Sequence, residues 1–161
     1  MIFHPIPPVF DETSRILILG SFPSVKSREA CFFYGHPQNR FWSVTAAVFD
    51  APVPRTIEEK KAFLLEHHIA VWDVIASCEI VGSADSSIKN VTPNDLSVIL
   101  NHAPIERIFV SGKTAETYFR RYTEPIIGRK AICLPSTSPA NAAWSKEKLV
   151  SAWQIIGEER P

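Results

Sequence analysis

The stretch Arg15-Ile-Leu-Ile-Leu-Gly20 decides the fold. Its four aliphatic residues leave no polar position to face solvent, so both faces must be covered, as in a central strand of a parallel sheet. Three other short, mostly apolar runs, at 69–75, 107–110 and 130–134, have the same character and bring the central strands to four. Between them lie helix-like segments at 41–49, 57–67, 93–102, 114–122 and 146–156. Thr92-Pro93-Asn94-Asp95 reads as a helix start, with Thr92 as N-cap and Pro93 at the first position. Ser145 caps the last segment, where Leu149, Val150, Trp153 and Ile156 recur at helical spacing.

This alternation predicts an α/β fold, a three-layer α/β/α sandwich around a central four-stranded, mainly parallel sheet. Functional loops in such a fold lie at the carboxyl ends of the strands, here at 20–40, 76–90 and 135–145. No internal repeat interrupts the chain, and Ala51-Pro-Val-Pro-Arg55 is too short to separate two units. Residues 1–161 are expected to form one domain.

Composition narrows the function classes. With 45% hydrophobic and 21% charged residues over 161 positions, the chain has enough apolar surface for a core and is not a disordered type. Lys+Arg and Asp+Glu number 17 each, so any contact with nucleic acid has to be local. Cys31, Cys78 and Cys133 are widely spaced and fit reduced thiols, and the five histidines show no metal-ligand spacing. The P-loop, the dinucleotide fingerprint and the G-x-S-x-G elbow are absent from the sequence. No metal and no cofactor is expected. The N-terminus lacks a signal-peptide pattern and no apolar run approaches the ~20 residues of a membrane span, so a cytoplasmic protein without membrane association is expected.

The first loop carries the chemistry. It reads Gly20-Ser-Phe-Pro-Ser24 and then Cys31-Phe-Phe-Tyr-Gly-His-Pro-Gln-Asn-Arg-Phe-Trp42. Phe33, Tyr34, Phe41 and Trp42 are interleaved with His36, Gln38, Asn39 and Arg40. Ring faces stack on a nucleobase and amides present a donor and an acceptor to its edge, although a core aromatic cluster has the same composition.

At these residues the sequence resembles the uracil-DNA glycosylase superfamily. The His36-Pro-x-Asn-Arg-Phe-Trp42 block is similar to the mismatch-specific uracil/thymine glycosylases, whereas Gly20-Ser-Phe-Pro-Ser24 and Pro135-Ser-Thr-Ser-Pro-Ala-Asn141 look more like the hypoxanthine-DNA (deoxyinosine) glycosylase branch, family 6. The resemblance spans nearly the whole chain. It implies a monofunctional glycosylase of base-excision repair that flips a deaminated base out of DNA, hydrolyses its N-glycosidic bond and leaves an abasic site. Hypoxanthine is the first choice of base, with uracil or xanthine as others.

The resemblance also implies roles. Phe22 stands where many relatives carry a catalytic Asn or Asp, which moves the water-positioning role to Asn39; an amide that ties two loops together is the other reading of Asn39. Tyr34, with Phe33 as the register alternative, is the ring against which the base would lie, and core packing is its alternative. Asp73 stands where uracil-specific relatives read the base with an Asn, and as a carboxylate it can only accept hydrogen bonds. A helix cap or an Arg salt bridge is its other reading. His36 is a candidate to help the leaving base. Ser24, Arg40, Ser136, Thr137 and Ser138 are the candidate DNA contacts, with Lys26, Arg28, Lys89 and Lys113 as further rim cations. The expected partner is double- or single-stranded DNA containing a deaminated base, bound by a monomer. A lesion-binding module without turnover, or a hydrolase of free nucleosides, are the competing classes.

Overall fold

In the computed structural model, which describes residues 1–158, four strands form one parallel sheet in the spatial order 69–73, 16–20, 107–111 and 132–134. They are β2 (Ile16–Gly20), β3 (Ile69–Asp73), β6 (Arg107–Ser111) and β7 (Ile132–Leu134), and every neighbouring pair is parallel. The last three residues of the expected domain lie outside the described range. All five residues of β2 are buried, as the absence of a polar position required. Ile16 and Ile18 enter one core with Phe41, Leu64, Leu149 and Trp153, while Leu17 and Leu19 enter a second core with Ile99, Ala115 and Phe119. The period-2 alternation of one strand thus glues two helical layers to one sheet.

The first layer holds α2 (Phe41–Val48), α3 (Ile57–Glu66) and α7 (Lys146–Trp153). Thr56 caps α3 by accepting from the Glu59 N–H, and Ser145 caps α7 by accepting from the Lys148 N–H, as expected of its sequence. The second layer is built on α4 (Ser97–Leu100) and α5 (Lys113–Tyr118). A π turn at Phe119–Thr123 carries the chain from α5 into α6 (Glu124–Ile127), so the helical stretch outlasts its expected end at residue 122. Pro125 sits in the first turn of α6, where its missing N–H is not needed.

Three expectations are corrected. The apolar run 69–75 is not one strand. The chain leaves the parallel sheet after Asp73 and continues as β4 (Ile75–Glu79), which pairs antiparallel with β1 (Ile2–Phe3) and β5 (Lys89–Pro93). The expected loop 76–90 therefore begins and ends in the strands of a ribbon, whose small polar residue Ser77 is buried and gives no apolar alternation to read. Thr92 and Pro93 end β5 rather than start a helix; Asp95 instead accepts from the Ser97 N–H at the head of a shorter α4. Within the first loop, Val25–Ala30 forms a helix, α1, of which only Ser27 is buried, so no hydrophobic stripe announces it. Among the described residues, no helix is long and apolar enough to cross a membrane.

Candidate active site

The carboxyl ends of β2, β3, β6 and the loop after β7 meet around one cleft of about 350 Å³, a size within the roughly 300–1,000 Å³ of small-molecule sites. The order β3-β2-β6 reverses direction at β2, and ligands of open α/β sheets bind at such a switch point. Phe22, Ser24, Phe33, Tyr34, Asn39, Asp73, Ser136, Thr137 and Ser138 all line the cleft; His36 and Arg40 do not.

Asn39 does two things at once. Its Oδ1 accepts from the Phe41 N–H at 2.9 Å and from the Thr137 hydroxyl at 2.9 Å, tying the first loop to the last. A backbone N–H can only be met by the amide oxygen, which fixes the orientation of the group and leaves the Nδ2 hydrogens for the cleft. Thr137 is 1% exposed, so it serves as the brace for Asn39 and is not a phosphate contact.

Asp73 is 4% exposed and its Oδ2 accepts from His4 Nε2 at 2.7 Å. The partner is neither a helix terminus nor an Arg. His4 reaches it because β1 pairs with β4, and the His4 ring is held from its other side, where Nδ1 accepts from the Ile6 N–H at 3.2 Å. That bond places the imidazole proton on Nε2, pointing at Asp73. Opposite, Gly20 has no room for a side chain: a Cβ there would lie 2.5 Å from Asp73 Oδ1 and 3.4 Å from the Tyr34 hydroxyl oxygen. The two oxygens therefore share one small space above Gly20.

Tyr34 has a left-handed backbone (φ 51°) and its ring stacks on Phe41, with centroids 3.9 Å apart and planes 8° from parallel. One ring face is occupied by the core, and the hydroxyl is buried with no hydrogen-bond partner. Burial, assisted by the negative charge of Asp73, holds the phenol well above its ordinary pKa of 10.0, so it remains a donor. Phe33 is 1% exposed and packs on His4 at 6.0 Å, while the half-buried Phe22 sets its edge toward His4 at 5.9 Å.

His36 is displaced from its expected place. Its Nδ1 accepts from the Gln38 N–H at 3.0 Å, so the imidazole stabilises its own turn outside the cleft. Arg40 likewise turns inward: its guanidinium donates to the carbonyls of Ser138 and Asn141 at 3.3 and 3.1 Å and to that of Trp144. These bonds commit Nη1 and Nη2 to clipping the final loop. Ser136 and Ser138 accept from the N–H two residues on, at 3.1 and 3.2 Å, which leaves their hydroxyl hydrogens able to donate to a ligand.

Among the rim cations, Lys113 lines the cleft, whereas Arg28 is bonded to the carbonyl of Gly82 at 3.1 Å, and neither Lys26 nor Lys89 borders it. A second cavity of about 590 Å³ adjoins the first along the last loop, sharing Lys113, Ser136 and Ser138 and adding Cys133, Pro135 and the part-exposed Trp144. The other wall of the cleft comes from Ile80, Ser83, Ala84 and Asp85, within the segment 76–90 that the sequence marked as a functional loop without singling out these residues. His4 was also missed, since a two-residue strand carries no periodicity and a lone His before Pro5 carries no motif.

The family described as the uracil DNA glycosylase superfamily matches residues 7–157. A hypoxanthine DNA glycosylase of Methanosarcina acetivorans is 35% identical over 161 residues, covering 97% of this chain and 98% of that protein. A second, from Methanosarcina barkeri, is 32% identical over 152 residues, with 91% and 92% covered. The solution NMR structure of a candidate uracil DNA glycosylase from Methanosarcina acetivorans matches with a TM-score of 0.80 at 30% identity, over 98% of this chain and all of that one.

Proposed function

The chain belongs to the uracil DNA glycosylase superfamily and is a DNA glycosylase, and from that premise we propose that it releases a deaminated base from DNA, hypoxanthine foremost and uracil or xanthine after it. The observation that carries this reading is the convergence of Asn39, Asp73 and the Tyr34 hydroxyl on one cleft at the carboxyl ends of the parallel strands. The described residues act as a single domain, working as a monomer in the cytoplasm.

Glycosidic cleavage passes through an oxocarbenium-like sugar and needs no strong nucleophile. Asn39 holds a water through its Nδ2 hydrogens near the sugar carbon of the everted nucleotide, and the Thr137 and Phe41 bonds keep the amide from turning. Asp73 accepts from the base edge. The Ser136 and Ser138 hydroxyls donate to the flanking phosphates, and the adjoining cavity beside Trp144 takes the strand as it leaves the cleft.

Lys113 borders the cleft, so the monofunctional assignment has a direct check. Oligonucleotides carrying deoxyinosine, deoxyuridine or deoxyxanthosine are incubated with the enzyme, and strand breaks are scored with and without alkali and after borohydride. Breaks that need alkali, with no borohydride-trapped complex, support the proposal. A trapped complex would replace it by a lyase, and no base release from any of the three would reduce the protein to a lesion-binding module.

A further inference from the structure

The cleft offers an acceptor and a donor side by side, and their pairing matches one kind of base edge. We propose that the Tyr34 hydroxyl is the specificity-determining donor of the site: it donates to the exocyclic oxygen of the everted base while Asp73 Oδ1 accepts from the neighbouring ring N–H. The pair thereby reads the lactam that deamination creates, and His4 is the positioning residue that holds Asp73 for the task. The inference rests on the base-binding role proposed above.

Four observations carry it. The Tyr34 hydroxyl is buried without a partner, an arrangement that is unfavourable unless a ligand supplies the acceptor. One face of its ring lies on Phe41, which holds the hydroxyl in position. His4 occupies only Oδ2 of Asp73, and no hydrogen bond among the described residues reaches Oδ1. Both free oxygens stand over Gly20, in space that a Cβ would claim, and both residues line the cleft.

The chemistry follows from the donor and acceptor inventory. Adenine and cytosine present a bare ring nitrogen beside an amino group, which would set acceptor against acceptor at Asp73 and donor against donor at Tyr34. Hypoxanthine, xanthine and uracil present a ring N–H beside a carbonyl, which complements both. A carboxylate alone could not donate to that carbonyl, and the phenol supplies what it lacks. Guanine shares this edge, so the pair sorts lactam bases from amidine bases and leaves the distinction from guanine to the rest of the cleft. Sites built to hydrogen-bond a substrate group discriminate strongly against analogues without it, since their own polar atoms are then left unpaired.

The test uses binding rather than turnover. Affinity is measured for single-stranded oligonucleotides carrying 2′-fluoro-2′-deoxyinosine, in which the glycosidic bond resists hydrolysis, and for the 6-thio counterpart, which keeps the ring N–H but has a poor acceptor at C6. The wild-type protein is expected to prefer the oxo form by about tenfold, and Tyr34→Phe, which keeps the ring on Phe41, to lose the preference to within about twofold. His4→Ala is expected to weaken selection of the oxo form over 2′-fluoro-2′-deoxyadenosine, and His4→Gln, which can still donate to Oδ2, to restore part of it. A Tyr34→Phe protein that keeps the full oxo preference overturns the proposal, as does a His4→Ala protein with unchanged selectivity. Loss of the preference in a protein that releases no base would sink the glycosylase reading while leaving this pair as a recognition device.

Discussion

Replacing Asn39 by Ala removes two things that the geometry keeps distinct. The lost Oδ1 was the acceptor of the Phe41 N–H and the Thr137 hydroxyl, each at 2.9 Å. The Thr137 hydroxyl sits on a residue 1% exposed, whereas the Phe41 N–H belongs to the first turn of α2. One buried donor left unmet and one lost helix-start bond together cost about 1–3 kcal/mol. At about 2–4 °C per kcal/mol for a domain of roughly this length, the melting temperature is expected to fall by about 2–12 °C. The rate is a separate matter. If the Nδ2 hydrogens hold the attacking water, their removal is expected to slow single-turnover base release by about 10²–10³, the scale of losing one preorganised donor. Thr137→Val separates the contributions, because it breaks the same bridge between the loops and leaves the amide in place. We expect it to slow release about tenfold or less, with DNA binding by both variants near that of the wild type. Equal slowing by Asn39→Ala and Thr137→Val would refute the argument, since Asn39 would then be a brace and nothing more.

Three other outcomes follow from the same contacts. Arg40→Ala is expected to loosen the last loop and weaken DNA binding, yet to leave the slope of log affinity against log salt unchanged, because its guanidinium bonds carbonyls; a slope shallower by about one would instead mark a phosphate contact. His4→Ala is expected to cost about 1.5–3 kcal/mol in denaturant unfolding at neutral pH, the worth of a hydrogen bond to a buried carboxylate, and a loss under about 0.5 kcal/mol would contradict the geometry of this pair. Tyr34 keeps its proton in the folded protein at pH values where the unfolded chain, at about 10, releases it. Its contribution is therefore complete below pH about 10 and is lost as the pH rises further. Tyr34→Phe should flatten that alkaline decline in stability, and an identical decline in the variant would show that the hydroxyl is not buried as described.

How much of this was legible in the sequence depends on what each residue had to announce. The parallel sheet was, because Ile16 to Leu19 must bury both faces and only a doubly covered strand does so. The cap of α7 differs in this respect from that of α1: Ser145 precedes a helix with an apolar face, whereas Ser24 caps a turn that packs almost nothing. The antiparallel ribbon escaped notice because Ser77 and Cys78 are buried without being large or alternating with charge. At the site, nine residues chosen from motifs do line the cleft, but their functions depend on contacts that no spacing encodes. Tyr34 was expected to offer its ring to the base, and one face of that ring lies on Phe41. Arg40 was expected to face phosphate and instead binds carbonyls more than ninety positions away in the chain. His4 lies 69 residues from its partner and directly follows a strand of two residues.

Which base leaves the DNA decides the function of the cleft. Direct identification, by mass spectrometry, of the free base released under single-turnover conditions from an equimolar set of oligonucleotides containing deoxyinosine, deoxyuridine, deoxyxanthosine and deoxyadenosine measures this without reference to strand breaks. We expect free hypoxanthine to appear first and adenine to remain attached. Adenine released as fast as hypoxanthine, or no free base at all, would contradict the reading of the cleft above Gly20.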